Sequence, residues 1–146
     1  TGEHDYEEFF RGLENYYPDK VRALLRFDKE LSRKIYAGAD VFLMPSQSEP
    51  CGLSQMIACR YGAVPVVRET GGLYDTIKAF DETTGEGNGV TFYAFSPYEM
   101  KDAVGRALRF YYEKPLWKKL VRNAMNSDFS WSASAKKYME MYNSMF

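Results

Sequence analysis

Two short apolar runs, Val41-Phe42-Leu43-Met44 and Val64-Pro65-Val66-Val67, constrain this chain more than any other feature. The first is bounded by Asp40 and Pro45 and reads as a buried strand; the second is short and β-branched and reads as another. Longer amphipathic segments alternate with them, which is the pattern of βα units. Strand, crossover and strand then predict right-handed parallel pairing. The expected fold class is α/β: a Rossmann-like parallel sheet with flanking helices. Gly89–Tyr93 reads as a last short strand and Val21–Phe27 as a candidate strand near the start. Three or four strands make a thin sheet, resembling the second half of a Rossmann-type domain.

The helical segments follow from spacing and punctuation. Asp5–Tyr16 carries Tyr6, Phe9, Phe10 and Leu13 on one face. Asp28 reads as the N-cap of a helix ending near Ala37-Gly38, with Leu31 and Ile35 inward and Glu30, Arg33 and Lys34 outward. Leu53–Tyr61 is closed by Gly62, a natural residue just past a helix end. Ser96 and Pro97, as cap and first helical residue, start a helix through about Tyr112. Pro115–Met125 and Ser132–Met145 follow, the last with a packing stripe of Tyr138, Met141, Tyr142 and Met145. The polar loop Asp81–Asn88 is expected to be the most mobile segment. No internal repeat or low-complexity segment is present.

Composition removes several classes of function. With 45% hydrophobic and 16% aromatic residues among 146, the chain can bury a core and is not intrinsically disordered. Nineteen basic against 20 acidic residues give a net charge of −1, so nothing favours nucleic acid or an anionic membrane. No apolar run approaches the roughly 18–20 residues that span a bilayer, and Thr1–Asp5 lacks the features of a signal peptide, so a soluble chain is expected. The missing initiator Met points to a piece of something larger. Cys51 and Cys59 lie eight residues apart on an expected helix, about 12 Å along its axis, too far for a disulfide. A lone His4 and the absence of CxxC or HExxH patterns predict no protein-built metal site.

The chemistry concentrates between Pro45 and Leu73. A strand ends at Pro45, a polar loop follows, and a helix begins near Gly52-Leu53. Ligands of open α/β sheets sit beyond the carboxyl ends of strands, where helix N-termini offer N–H groups to anions. Glu49 stands just ahead of that helix as an acceptor for sugar hydroxyls, and Gly52 lets a ligand approach the backbone. The second strand runs into Thr70-Gly71-Gly72, a common way to expose backbone N–H groups to phosphate or sugar. Residue chemistry alone therefore reads as a nucleotide or sugar-phosphate site. Blander readings stand beside it. Glu49 could cap the helix, Phe27 could be core, Thr70-Gly71-Gly72 could be only a turn, and Arg60 and Arg68 could be structural or solvated. Cys51 reads as a small residue rather than a nucleophile, since no base or oxyanion partner is near in sequence.

Glu49-Pro50-Cys51-Gly52-Leu53 with Gln55, then Arg60-Tyr61-Gly62, Val64–Arg68 and Thr70-Gly71-Gly72-Leu73, resembles the bacterial glycogen synthase and plant starch synthase family. Ile35–Asp40, Met44-Pro45-Ser46 and Phe129-Ser130-Trp131 extend the resemblance over essentially the whole chain. It implies a retaining glycosyltransferase of GT-B fold that moves glucose from ADP-glucose to the non-reducing end of an α-1,4-glucan. It implies no cofactor and no metal, and a cytoplasmic enzyme, or a plastid one if the source is a plant. Glu49 matches the acidic residue beside the donor glucose and would support charge developing at the anomeric carbon. The backbone of Cys51, Gly52 and Leu53 would contact the same glucose, Ser54 and the helix N-terminus would meet the diphosphate, and Phe27 matches an aromatic that stacks on adenine. Thr70, Gly71 and Gly72 complete the implied substrate-binding set.

Departures from the pattern carry expectations of their own. Many relatives have Arg-Phe where this chain has Gln47-Ser48, so loop or acceptor contacts differ there. Related families place a second glutamate where this chain has Ile57, so their ribose recognition does not carry over. That same difference argues against a sucrose-synthase-like or mannosyl transferase. The family's diphosphate-binding Arg and Lys, and its N-terminal domain with a KxGGL donor loop, would lie before Thr1. Residues 1–146 are thus expected to form a single partial C-terminal donor-binding domain, its terminal helix 132–146 packing back toward the missing domain. Alone, such a fragment would have little activity and would self-associate or be of low stability, because a strand edge is exposed. A non-catalytic Rossmann-like nucleotide-sugar-binding or interaction module is the alternative from another class.

Overall fold

A computed structural model describes residues 2–145, which divide between Lys34 and Ile35 into two compact units. The first contains helix α1 (His4–Tyr16), an irregular stretch, and the opening turns of α2 (Lys29–Gly38). The expected face of α1 forms, yet Tyr6, Phe9 and Phe10 are all exposed. Asp28 caps α2 as its position predicts, its Oδ1 accepting from the Leu31 N–H at 3.0 Å. That bond, with Arg26 beside it, holds the Asp28 carboxyl below its ordinary range.

The strand expected over residues 21–27 does not form. A strand exists only through its ladder, and within this unit the other regular structure is helical, so no extended neighbour is available. Local bonds take over instead. The Arg22 guanidinium donates to the carbonyls of Pro18 and Val21, and the Ala23 N–H donates to Glu14. Ile35 also departs from expectation, lying exposed rather than inward.

The second unit is built on a parallel sheet of β1 (Val41–Met44), β2 (Val64–Arg68) and β3 (Val90–Phe92), in that spatial order. Val41 pairs with Val64 and Met44 with Val67, while Val66 pairs with Val90 and Arg68 with Phe92. The central strand is buried on both faces, and its side chains alternate between two cores. Val64 and Val66 join Val90, Phe92, Phe110, Trp117 and Leu120 on one side. Val67 joins Cys59, Leu73, Ile77 and Ala124 on the other.

Pro65 is tolerated in this central strand for a geometric reason. The Val64 N–H donates toward the β1 side, to Asp40, so alternation turns the Pro65 nitrogen toward β3. The first residue of β3, Val90, pairs one step later with Val66, so the missing donor breaks no regular ladder bond.

Helices α3 (Ser54–Tyr61), α4 (Gly71–Thr76), α5 (Pro97–Tyr112), α6 (Lys114–Met125) and α7 (Trp131–Asn143) complete the unit. Gly62 ends α3 in the left-handed region at φ 83°, and the Ser96 side chain caps α5 just before Pro97. The segment after β2 is a short helix, α4, rather than only a turn. The loop expected to be mobile is braced: Asn123 donates to the carbonyls of Gly85 and Gly87 at 2.9 and 2.8 Å, and Asn88 donates to Thr76 and Ser127. The α7 stripe expected to pack is exposed at Tyr138, Met141, Tyr142 and Met145.

Candidate ligand site at the strand ends

Parallel neighbours deliver their C-terminal loops to the same edge of a sheet. Met44 and Val67 are in register, so the loop 45–53 after β1 and residues 69–70 after β2 leave side by side. The two segments meet directly. The Gly72 N–H donates to the Glu49 carbonyl at 3.0 Å, closing the N-terminus of α4 with the loop's own backbone. The approach is so close that a Cβ on Gly71 would collide with the Glu49 carbonyl, and one on Gly72 with the backbone of Cys51. Glycine at both positions is what allows the junction.

Three further braces hold the loop. Arg68, at the end of β2, donates from Nε to the Ser46 carbonyl at 2.9 Å and from its terminal nitrogens to the carbonyls of Gln47 and Tyr93. Its guanidinium also lies 5.8 Å from the centre of the Phe95 ring. Gln55, fully buried, donates from Nε2 to the carbonyls of Cys51 and Gly52 and to the Thr76 hydroxyl. Thr76 in turn donates to the Gly72 carbonyl at 2.5 Å.

These braces consume carbonyls and leave N–H groups. Among the described residues, the backbone N–H groups from Cys51 through Met56 form no hydrogen bond. The N-cap residue of α3 is Leu53, and no side chain caps that helix. Glu49 therefore does not act as a cap; its half-buried carboxylate forms no hydrogen bond or ion pair among the described residues. A row of unpaired donors at a helix N-terminus suits an anion, and an adjacent unpaired carboxylate suits hydroxyl groups.

Of the residues singled out from sequence, Glu49, Cys51, Gly52, Leu53, Ser54, Thr70, Gly71 and Gly72 fall within this one region. Leu53 is 65% exposed, Cys51 is exposed and Gly72 is buried. Gly52 adopts φ 72°, where a side chain would be strained. Phe27 belongs to the other unit, with its ring 91% exposed and so not core. Arg68 resolves toward the structural reading, while Arg60 is exposed. Thr76 and the bracing role of Gln55 were not legible from sequence; the one signal was a polar residue on the buried side of α3, next to Ala58 and Cys59. Among the described residues no group of three His, Cys, Asp or Glu could hold a metal ion, and no helix is long and apolar enough to cross a membrane.

The glycosyl transferases group 1 family model matches residues 2–126. The chain is 55% identical over 143 residues to a glycogen synthase of Bacillus licheniformis, covering 98% of this chain and 30% of the relative. It is 52% identical over 142 residues to that of Bacillus subtilis, covering 97% and 29%. For the glycogen synthase of Clostridium botulinum the identity is 53% over 145 residues, covering 99% and 30%. The chain thus spans about 30% of the length of the curated relatives it matches. Among solved structures it is similar to the catalytic domain of starch synthase IV from Arabidopsis thaliana bound to ADP and acarbose. The TM-score there is 0.80 and the identity 42%, covering 93% of this chain and 29% of that one.

Proposed function

We infer the function of this chain from the family to which it belongs, the group 1 glycosyl transferases. The reading is that it forms the C-terminal part of the donor site of a glycogen synthase. In the full enzyme, glucose passes from ADP-glucose to the non-reducing end of an α-1,4-glucan with retention. Identity of 50–55% to proteins named glycogen synthase supports the substrate class, as does a structural relative described with ADP bound. A non-catalytic interaction module has no observation in its favour.

The observation that carries the reading is the junction of Gly72 with Glu49, which sets an unpaired carboxylate and a row of unpaired N–H groups on one edge. In the proposed mechanism Glu49 accepts hydrogen bonds from donor-sugar hydroxyls, and its charge favours the cationic character that develops at the anomeric carbon. The backbone of Cys51, Gly52 and Leu53 holds the same sugar. The Ser54 hydroxyl and the N-terminus of α3 face the diphosphate, where the helix dipole favours negative charge. Adenine stacking by Phe27 is what the resemblance alone implies. Gly71, whose N–H forms no bond among the described residues, offers one more donor, and Thr70 and Gly72 beside it complete the substrate-binding set. Further cationic groups for the departing diphosphate, and the acceptor groove, come from an N-terminal domain of the same enzyme. The reaction calls for no cofactor, and the enzyme would work in the bacterial cytoplasm.

The test is a chimera in which this chain replaces the matching segment of the Bacillus subtilis relative. Transfer of labelled glucose from ADP-glucose to glycogen is expected, and Glu49→Gln should lower its rate about 100-fold or more, the scale of losing one charge-stabilising group. A folded chimera whose transfer is indifferent to Glu49→Gln would refute the assignment.

A further inference from the structure

We propose that Gln55 and Thr76 are positioning residues, which set the direction of the Gly52 and Leu53 N–H groups and tie the Glu49 loop to α4. The idea rests on the donor-site reading given above. It follows from a closed circuit of hydrogen bonds. Gln55 Nε2 lies 3.2 Å from the Cys51 carbonyl, 3.0 Å from that of Gly52 and 3.1 Å from Thr76 Oγ1. Thr76 Oγ1 donates to the Gly72 carbonyl at 2.5 Å, and the Gly72 N–H returns to the Glu49 carbonyl at 3.0 Å. The circuit joins both ligand-facing segments through two side chains.

Peptide planarity converts this circuit into aim. In a trans peptide the carbonyl of one residue and the N–H of the next point in opposite directions, and no peptide bond among the described residues is cis. Drawing the Cys51 carbonyl inward onto Gln55 therefore turns the Gly52 N–H outward. Drawing in the Gly52 carbonyl does the same for the Leu53 N–H. Neither N–H has a partner among the described residues.

The amide cannot be reversed. Its nitrogen faces three acceptors, and an oxygen in that place would meet two carbonyls with no proton between them. The cost appears at the other end, where Gln55 Oε1 is buried with no hydrogen-bond partner. A side chain kept only to fill space would not need an unserved buried oxygen, since an apolar residue of similar size fills the same volume without one. The Gln55 oxygen also accounts for Gly52: a Cβ there would come within 2.6 Å of Oε1 and 3.1 Å of the Glu49 Cγ.

The test compares the ¹⁵N-labelled chain with Thr76→Val, which removes the hydroxyl at nearly constant volume, and with Thr76→Ser, which keeps it. In Thr76→Val the amide resonances of Gly52, Leu53 and Gly72 should shift, and Gly72 N–H exchange should quicken at least tenfold. Core amides such as Val66 and Leu120 should stay put, and Thr76→Ser should restore the unmodified pattern. Unmoved Gly52 and Leu53 amides in folded Thr76→Val would overturn the proposal. One measurement needs no variant: the Gln55 side-chain amide protons should be protected from solvent exchange, and rapid exchange would also overturn it. Titration with ADP-glucose separates this inference from the donor reading. A tenfold weaker affinity in Thr76→Val, restored in Thr76→Ser, supports the positioning role, whereas equal affinities in all three overturn it. If the unmodified chain shows no ADP-glucose shifts at Gly52, Ser54 or Gly72, the response of the chimera to Glu49→Gln decides the donor reading, and the ligand-free spectra still decide the positioning role.

Discussion

Gly72→Ala should be among the most damaging single-methyl additions the chain can receive. The added Cβ would overlap the Cys51 carbonyl, and its nearest neighbours are all backbone atoms of Cys51, which no rotamer change can move aside. Ordinary carbon–oxygen contact is about 3.3 Å or more, so the loop and α4 must separate by more than roughly 1 Å. The Gly72 N–H bond to Glu49 starts at 3.0 Å and cannot survive that separation. A buried N–H left without an acceptor costs about 1–3 kcal/mol. Disturbed packing under Leu73, which is fully buried, brings the total to about 2–4 kcal/mol. For a chain of this length that corresponds to a fall in Tm of roughly 5–15 °C. Gly105→Ala is the control with the opposite sign. Gly105 lies inside α5, nothing stands within 4 Å of its added Cβ, and the substitution should gain about 0.5–1 kcal/mol. Urea and thermal denaturation of both variants decide the matter. A Gly72→Ala loss below about 0.5 kcal/mol would show that the close approach of the two segments is not as described.

Other substitutions and titrations probe the rest of the unit. Asn123→Ala removes both bonds to the 81–88 loop and should cost about 1–2 kcal/mol, with faster amide exchange confined to that loop; unchanged exchange there would count against the bracing. Cys59 is buried and its thiol is pushed up to about 12, so iodoacetamide at pH 8 should label exposed Cys51 and reach Cys59 only on unfolding. Two labels on the native chain would contradict this. Because the folded value lies above the ordinary 9.0, the Cys59 contribution to stability is complete below pH 9 and declines as pH rises toward 12. Asp28 works in the opposite sense. Its folded value lies below the ordinary 3.8, so its capping contribution is present above that pH and is lost as pH falls beneath it. Asp28→Asn should keep the cap and abolish that part of the acid dependence, read from α2 amide shifts.

What could be read in advance was what neighbouring residues decide among themselves. The Asp28 cap, the Ser96-Pro97 start and the Gly62 stop are each settled within four residues, and all three occur as their positions predict. Residues 21–27 show the limit. Their composition permits a strand, but a strand needs a partner that no local pattern supplies. The stripe on α7 shows the same limit for burial. Periodicity identifies the apolar side of a helix and not what covers it, and Tyr138 and Tyr142 stay exposed.

The candidate site divides along the same line. Glu49 and the Gly71-Gly72 pair stand out because unusual residues follow strand ends. Their contact, bridging more than 20 positions, depends on the register that sets Met44 beside Val67. Gln55, Thr76 and Arg68 were harder to see because each acts on backbone carbonyls, which every residue possesses. No residue type marks a carbonyl as one that needs holding. In this fold the side chains that would meet a ligand and those that aim the backbone toward it are different residues on different elements. Substitutions in the second group should change binding without removing any group that touches the ligand. The comparison of Thr76→Val with Thr76→Ser measures that separation directly: a hydroxyl one helix away should decide where two loop N–H groups point.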